Sequence, residues 1–116
     1  MQKAALHRAD GTVVVERCLV AERPFARMRG LLGRRELPSG EGLLLRPAGS
    51  IHTFFMRFPI DAVFLGGDGE VLRVVPEVRP WRTAARRGAR AVLELPAGEC
   101  ERRGVESGER LEVAPC

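Results

Sequence analysis

Residues 50–65 read SIHTFFMRFPIDAVFL, an apolar run with a histidine, an arginine and an aspartate set inside it. The run carries four of the chain's five phenylalanines and one of its two histidines. A stretch this apolar has to help form the core, and polar groups embedded in it need partners or a purpose. The segment is therefore expected to cross the middle of the core and to wall the candidate site.

The flanking sequence sets how the segment folds. Ala62 to Leu65 and Glu70 to Val75 are β-prone runs joined by Gly66-Gly67-Asp68-Gly69, the strongest hairpin signal in the chain. Asp68 suits such a turn. It lacks the lysine of a phosphate loop and the repeated acids of a calcium loop. A second hairpin pairs Lys3 to His7 with Thr12 to Val20 around Asp10-Gly11. In the second of those strands neither face is cleanly polar, which fits a strand covered on much of both sides. Leu43 to Arg46, Ala91 to Leu95 and Arg110 to Val113 read as further strands, and Ile51 to Met56 as extended. Pro24 to Arg35 is the one main helix: proline suits its first turn, and Phe25, Met28, Leu31 and Leu32 recur at helical spacing. Gly30 falls inside that helix, where close packing against a strand would account for it. Glu99 to Gly104 suits a single helical turn, and Pro76 to Arg90 is irregular or short-stranded, with Trp81 as its anchor. The expected fold is mostly β (α+β): a small antiparallel barrel-like or folded sheet of seven to eight strands with one main α-helix.

At 116 residues, positions 1–116 make a single domain with one modest core. Thirteen glycines and eight prolines favour short strands and frequent turns. The net charge is +4, and every basic residue but Lys3 is arginine. That near absence of lysine points to coding bias more than to an evolved anion-binding surface. Cys18, Cys100 and Cys116 form no CxxC pair and, with two distant histidines, no zinc pattern. A Cys100–Cys116 disulfide is conceivable. The odd count and an N-terminus without an apolar leader point instead to free thiols in a reducing, cytoplasmic setting. No run approaches membrane-spanning length.

Four blocks of sequence resemble a known family. RGLLGRRELPSGEGLLL at 29–45, HTFFMRFPIDAVFLGGDGEVL at 52–72, Pro80-Trp81, and AVLELPAGECERRGVESGERLEV at 91–113 resemble the DUF192 family, also called UPF0127, in order and spacing. The resemblance covers roughly everything after Val20. His-Thr-Phe…Met-Arg-Phe-Pro-Ile-Asp matches one branch, where others carry Trp-Met-Lys-Asn-Thr, and Glu109 replaces the usual aspartate of the closing motif. The resemblance implies a compact β-rich domain with little helix. It implies no activity and carries over no catalytic residue. Many members bear secretion signals, which the N-terminus here does not show.

His52, Arg57 and Asp61 are the leading site candidates, with Trp81 and Arg82 beside them. On an extended strand His52 and Phe54 point one way, and Ile51, Thr53 and Phe55 the other. The plainer reading pairs Asp61 with Arg57 or with backbone amides and leaves His52 in the wall. The functional reading is a cleft lined by His52, Arg57, Asp61, Trp81 and Arg82 that takes a small polar or anionic ligand, a saccharide or peptide. The alternatives are a hydrolase with His52 as base and Asp61 as its orienter, and nucleic-acid binding through the arginines of 79–90. A Ser50–His52–Asp61 triad has no nucleophile elbow behind it. His52 and Asp61 give two ligands where zinc needs three, so neither a metal nor a cofactor is expected. Phe54, Phe55, Met56, Phe58 and Phe64 are expected in the core. Trp81 either plugs a barrel end or, with Arg79 and Arg82, stacks on a ligand ring.

Overall fold

The computed structural model describes residues 2–115. Nine strands alternate with two short helices: β1 (Gln2–Arg8), β2 (Val13–Ala21), α1 (Pro24–Arg29), β3 (Glu41–Leu45), β4 (Ser50–His52), β5 (Ile60–Leu65), β6 (Val71–Val78), β7 (Thr83–Ala85), β8 (Ala91–Pro96), α2 (Glu99–Arg103) and β9 (Leu111–Pro115). Seven strands make one sheet in the order β6-β5-β8-β3-β2-β1-β9, and β4 with β7 makes a second, two-stranded one. All neighbours are antiparallel except β2 and β3. A parallel pair needs a long crossover, and α1 with its following loop supplies it.

The large sheet curls into a half-barrel until its edge strands meet at one end. There the Val71 amide donates to the Glu109 carbonyl at 2.7 Å, Gly108 to Val71 at 2.8 Å, and Leu111 to Gly69 at 2.9 Å. Gly69 is required by this closure: its φ is +88°, and a Cβ there would lie 2.2 Å from the Leu111 carbonyl oxygen.

Period-2 alternation then divides the apolar residues into two cores. Val63 and Leu65 of β5 and Leu93 and Leu95 of β8 point into the half-barrel, where they meet Leu6, Val14, Val15, Cys18, Cys100 and Leu111. Ile60, Ala62 and Phe64 of β5 and Val92 of β8 point outward. They are covered by Leu31, Leu37, Ile51 and Met56, from the loop after α1 and from the β4 region. The second sheet is thus an outer layer on the barrel wall.

The helix is shorter than its sequence periodicity suggests. It ends at Arg29 because Gly30 takes φ +49°, ψ −126°. That backbone conformation is the reason for the glycine; a Cβ would make only ordinary contacts, at 3.7 Å or more. The apolar stripe is split in consequence: Leu31 is buried, while Phe25 and Met28 stay exposed. Extended structure in the 51–56 region also stops early, at His52. Cys116 lies outside the described residues, so the conceivable Cys100–Cys116 pairing does too. Cys100 is buried and in no disulfide among the described residues; its thiol is pushed up to about 12 by burial and then by the nearby Asp61 charge. Such a thiol is inert as a nucleophile. No helix among the described residues is long and apolar enough to cross a membrane.

Three carboxylates are buried, each handled differently. Asp61, fully buried, points into the half-barrel. Its Oδ1 accepts from the amides of Glu77 (3.0 Å) and Gly98 (3.1 Å), and its Oδ2 from Cys100 (3.0 Å). Glu77 lies where the β5–β6 register slips, with φ +51°; a bulge of this kind leaves an amide outside the ladder, and Asp61 meets it. The same carboxylate holds the first turn of α2. Glu99 accepts from the Ser39 hydroxyl (2.8 Å) and the Gly40 amide (3.0 Å) and pairs with Arg102 and Arg103. Burial raises its pKa, but these donors together outweigh burial and hold it below the ordinary value. Glu94 lies on the outer face of β8 and is 3% exposed, and its carboxyl makes no hydrogen bond or ion pair among the described residues. Burial alone pushes it up to about 8.

Two outcomes follow from these environments. Asp61→Ala strands three inward amides and is expected to lower unfolding stability by about 3 kcal/mol or more, as measured by urea denaturation at pH 7; a loss under about 1 kcal/mol would mean the amides find other acceptors. For Glu94, a raised pKa means that between its ordinary 4.5 and about 8 the unfolded chain releases a proton that the folded chain keeps. Stability then falls as pH rises through that window, by up to about 1.4 kcal/mol per pH unit. Glu94→Gln, compared with wild type by denaturation from pH 5 to 8, should lack this component of the slope.

Candidate functional site

The outer layer is held by one small polar side chain. Thr53, fully buried, follows β4. Its hydroxyl donates to the Arg79 carbonyl at 2.6 Å and accepts from the Arg82 amide at 2.9 Å. Its own amide donates to Arg82 and its carbonyl accepts from Trp81 and Met56. These bonds lock the turn at 53–56 against the turn at 79–82. Inside the lock, Phe55 and Trp81 each take φ +67°. Large side chains avoid that region unless the surroundings impose it. The consequence is visible at the surface: Phe55 is 71% and Trp81 54% exposed.

The rings form a ridge. His52 packs on Phe54 with centroids 5.0 Å apart, Phe54 stacks on Trp81 at 5.7 Å, and Phe55 tilts onto Trp81 at 4.5 Å. These are ordinary aromatic pair distances. The Phe54 amide donates to His52 Nδ1 at 3.3 Å, so a neutral ring carries its proton on Nε2.

Of the expected site residues, His52, Trp81 and Arg82 come together around Thr53. Arg57 is exposed after Met56 and has no partner among the described residues. Asp61 does not join them. Alternation sends it to the inner face of the sheet, whereas β4 covers the outer face, and its oxygens already hold three backbone amides. Asp61 therefore cannot orient His52, and the proposed hydrolytic pair is not formed. Phe54 and Phe55 are also corrected: they lie outside the core because the chain turns after Thr53, while Met56 and Phe64 are buried as expected.

Sequence reading missed the carboxylate that does share the outer face with β4. A cleft of about 350 Å³ lies between α1 and β4, and Met28, Leu31, Ile51, His52, Met56 and Glu94 are among its lining residues. The signal was present in Ala91 to Pro96: a glutamate whose i−2 and i+2 neighbours, Val92 and Pro96, are apolar and buried. A strand of this composition reads as core throughout, and nothing local to it says that Glu94 faces a cleft. Among the described residues no three His, Cys, Asp or Glu side chains are grouped to hold a metal ion.

The family model DUF192, described as "Uncharacterized ACR", matches residues 5–113. A UPF0127 protein of Thermococcus sibiricus is 30% identical over 112 residues, 92% of this chain and 72% of that protein. A UPF0127 protein of Pyrococcus furiosus is 41% identical over 64 residues, 54% of each. Among solved structures, a Sinorhizobium meliloti protein provisionally named a transcription regulator superimposes with a TM-score of 0.84 at 27% identity, over 97% of this chain and 92% of that one. A protein of unknown function from Novosphingobium aromaticivorans superimposes at 0.81 and 24% identity, over 95% and 83%; that likeness concerns the fold alone. With a match from β1 to β9, this chain belongs to the DUF192 family, also called UPF0127.

Proposed function

We propose that this protein is a non-catalytic binding domain whose ridge of His52, Phe54, Phe55 and Trp81 receives a small ring-bearing anionic ligand, best matched by an acidic saccharide. The observation that carries this reading is the pair of left-handed aromatic residues. Phe55 and Trp81 are held outward at φ +67° by the Thr53 hydrogen bonds. Conformational strain of this kind persists only where the surroundings over-determine it, and it collects at ligand clamps. A sugar ring gains by laying its C–H face on an aromatic surface. Arg57, Arg79 and Arg82 are all exposed and follow or flank the ridge residues in sequence, and a guanidinium suits a carboxylate.

One observation favours a second reading. Residues 79–90 contain five arginines and no acidic residue, and stacked aromatics beside such a run suit a single-stranded nucleic acid. The solved relative from Sinorhizobium meliloti carries a name in keeping with that reading.

The chain has a single tryptophan and no tyrosine, so its fluorescence reports directly on the ridge. Titration with tri-galacturonate is expected to change Trp81 emission saturably, and Trp81→Ala to remove binding seen by calorimetry. Phe54→Ala should weaken it by about 5–10-fold, the worth of one stacking partner at about 1 kcal/mol. Preference for oligo(dT), with affinity falling steeply in salt, would replace the saccharide reading by the nucleic-acid one. No saturable change with either probe would overturn both.

A further inference from the structure

We propose that the cleft between α1 and β4 is a second binding site, for a small, largely apolar molecule with one carbonyl acceptor, which the Glu94 carboxyl meets at the floor. It is independent of the ridge reading. Three observations converge. The Glu94 carboxyl has no hydrogen bond or ion pair among the described residues, although the residue sits in the middle of the sheet between β3 and β5. Its side chain is on the outer face, the face of Leu31, Ile51 and Met56, which line the cleft with it. No buried side-chain oxygen or nitrogen among the described residues is sealed without a partner, so the small residual exposure of Glu94 must open onto something, and the cleft is what it lines.

The chemistry of the walls selects the ligand. Leu31, Leu45, Ile51 and Met56 are apolar and buried, and methionine adapts to irregular shapes. Arg27 and Arg29 also line the cleft and oppose entry of a cation. An amine is therefore the wrong partner for Glu94 here. Burial favours the neutral carboxyl at neutral pH, and a neutral carboxyl offers an O–H donor. A ketone or amide oxygen accepts it without bringing charge into the apolar walls. A carboxyl kept neutral by an apolar site so that it can donate is an established catalytic and binding device.

The test uses methyl-labelled methionine in the intact protein, with Met28 and Met56 as reporters in the cleft. Cyclohexanone and methylenecyclohexane have nearly the same shape and differ in the acceptor. Cyclohexanone is expected to shift the Met56 methyl saturably, and methylenecyclohexane to bind at least 10-fold more weakly. Glu94→Gln, which keeps a donor, should stay within a few-fold of wild type; Glu94→Leu should lose the preference for the ketone. Equal binding of the two probes to the wild-type protein would overturn the proposal without any variant. So would a saturable change in Trp81 fluorescence with the Met56 methyl unmoved, which would put the probe on the ridge, or the absence of a saturable Met56 shift.

Discussion

A strand covered on both faces has no free place for a charge. β5 and β8 are such strands, and their strict alternation decides which ionisable groups can meet. Asp61 falls on the inner face with Val63 and Leu65, while Glu94 falls on the outer face with Val92. A one-residue register slip between β5 and β8 would exchange those faces. Everything distinctive about the molecule follows from this division: inside, a carboxylate saturated by backbone donors; outside, a carboxyl left without one.

The two carboxyls illustrate how differently burial can be met. Three amides surround Asp61, from the β6 bulge, from Gly98 and from α2, so its charge ties three separate segments together. Its role is architectural. Glu94 receives nothing comparable, and its environment favours the neutral form. An acid held neutral beside a cleft has a use only when something arrives to share its proton.

Much of this was legible in the sequence. Asp-Gly and Gly-Gly-Asp-Gly placed both hairpins correctly, because those turns need residues that tolerate positive φ. The closing Gly-x-x-x-Gly-Glu-Arg-Leu segment reads as a strand entrance but carries no sign of the seam where the sheet edges join, because pairing between Gly69 and Leu111 leaves no local mark. The helix is shorter than its pattern: Phe25, Met28, Leu31 and Leu32 fit helical spacing, but Gly30 turns the chain between them. His52 and Trp81 share one ridge, each packed on Phe54. Asp61 was not separable from them in sequence, since the face a residue occupies depends on where the chain turns, and the turn is set by Thr53 bonding to carbonyls 26 and 29 residues away.

The outer layer then concentrates chemistry on one side of the barrel wall. β4 lies between the ridge and the cleft, and His52 borders both. The most direct measurement of the division between the two faces is a carboxyl-carbon NMR titration of Glu94 in the folded protein. The expected result is a midpoint near 8, far above the ordinary 4.5. A midpoint close to 4.5 would show a solvated or paired carboxylate and contradict the placement of Glu94 as an unpartnered acid on the outer face.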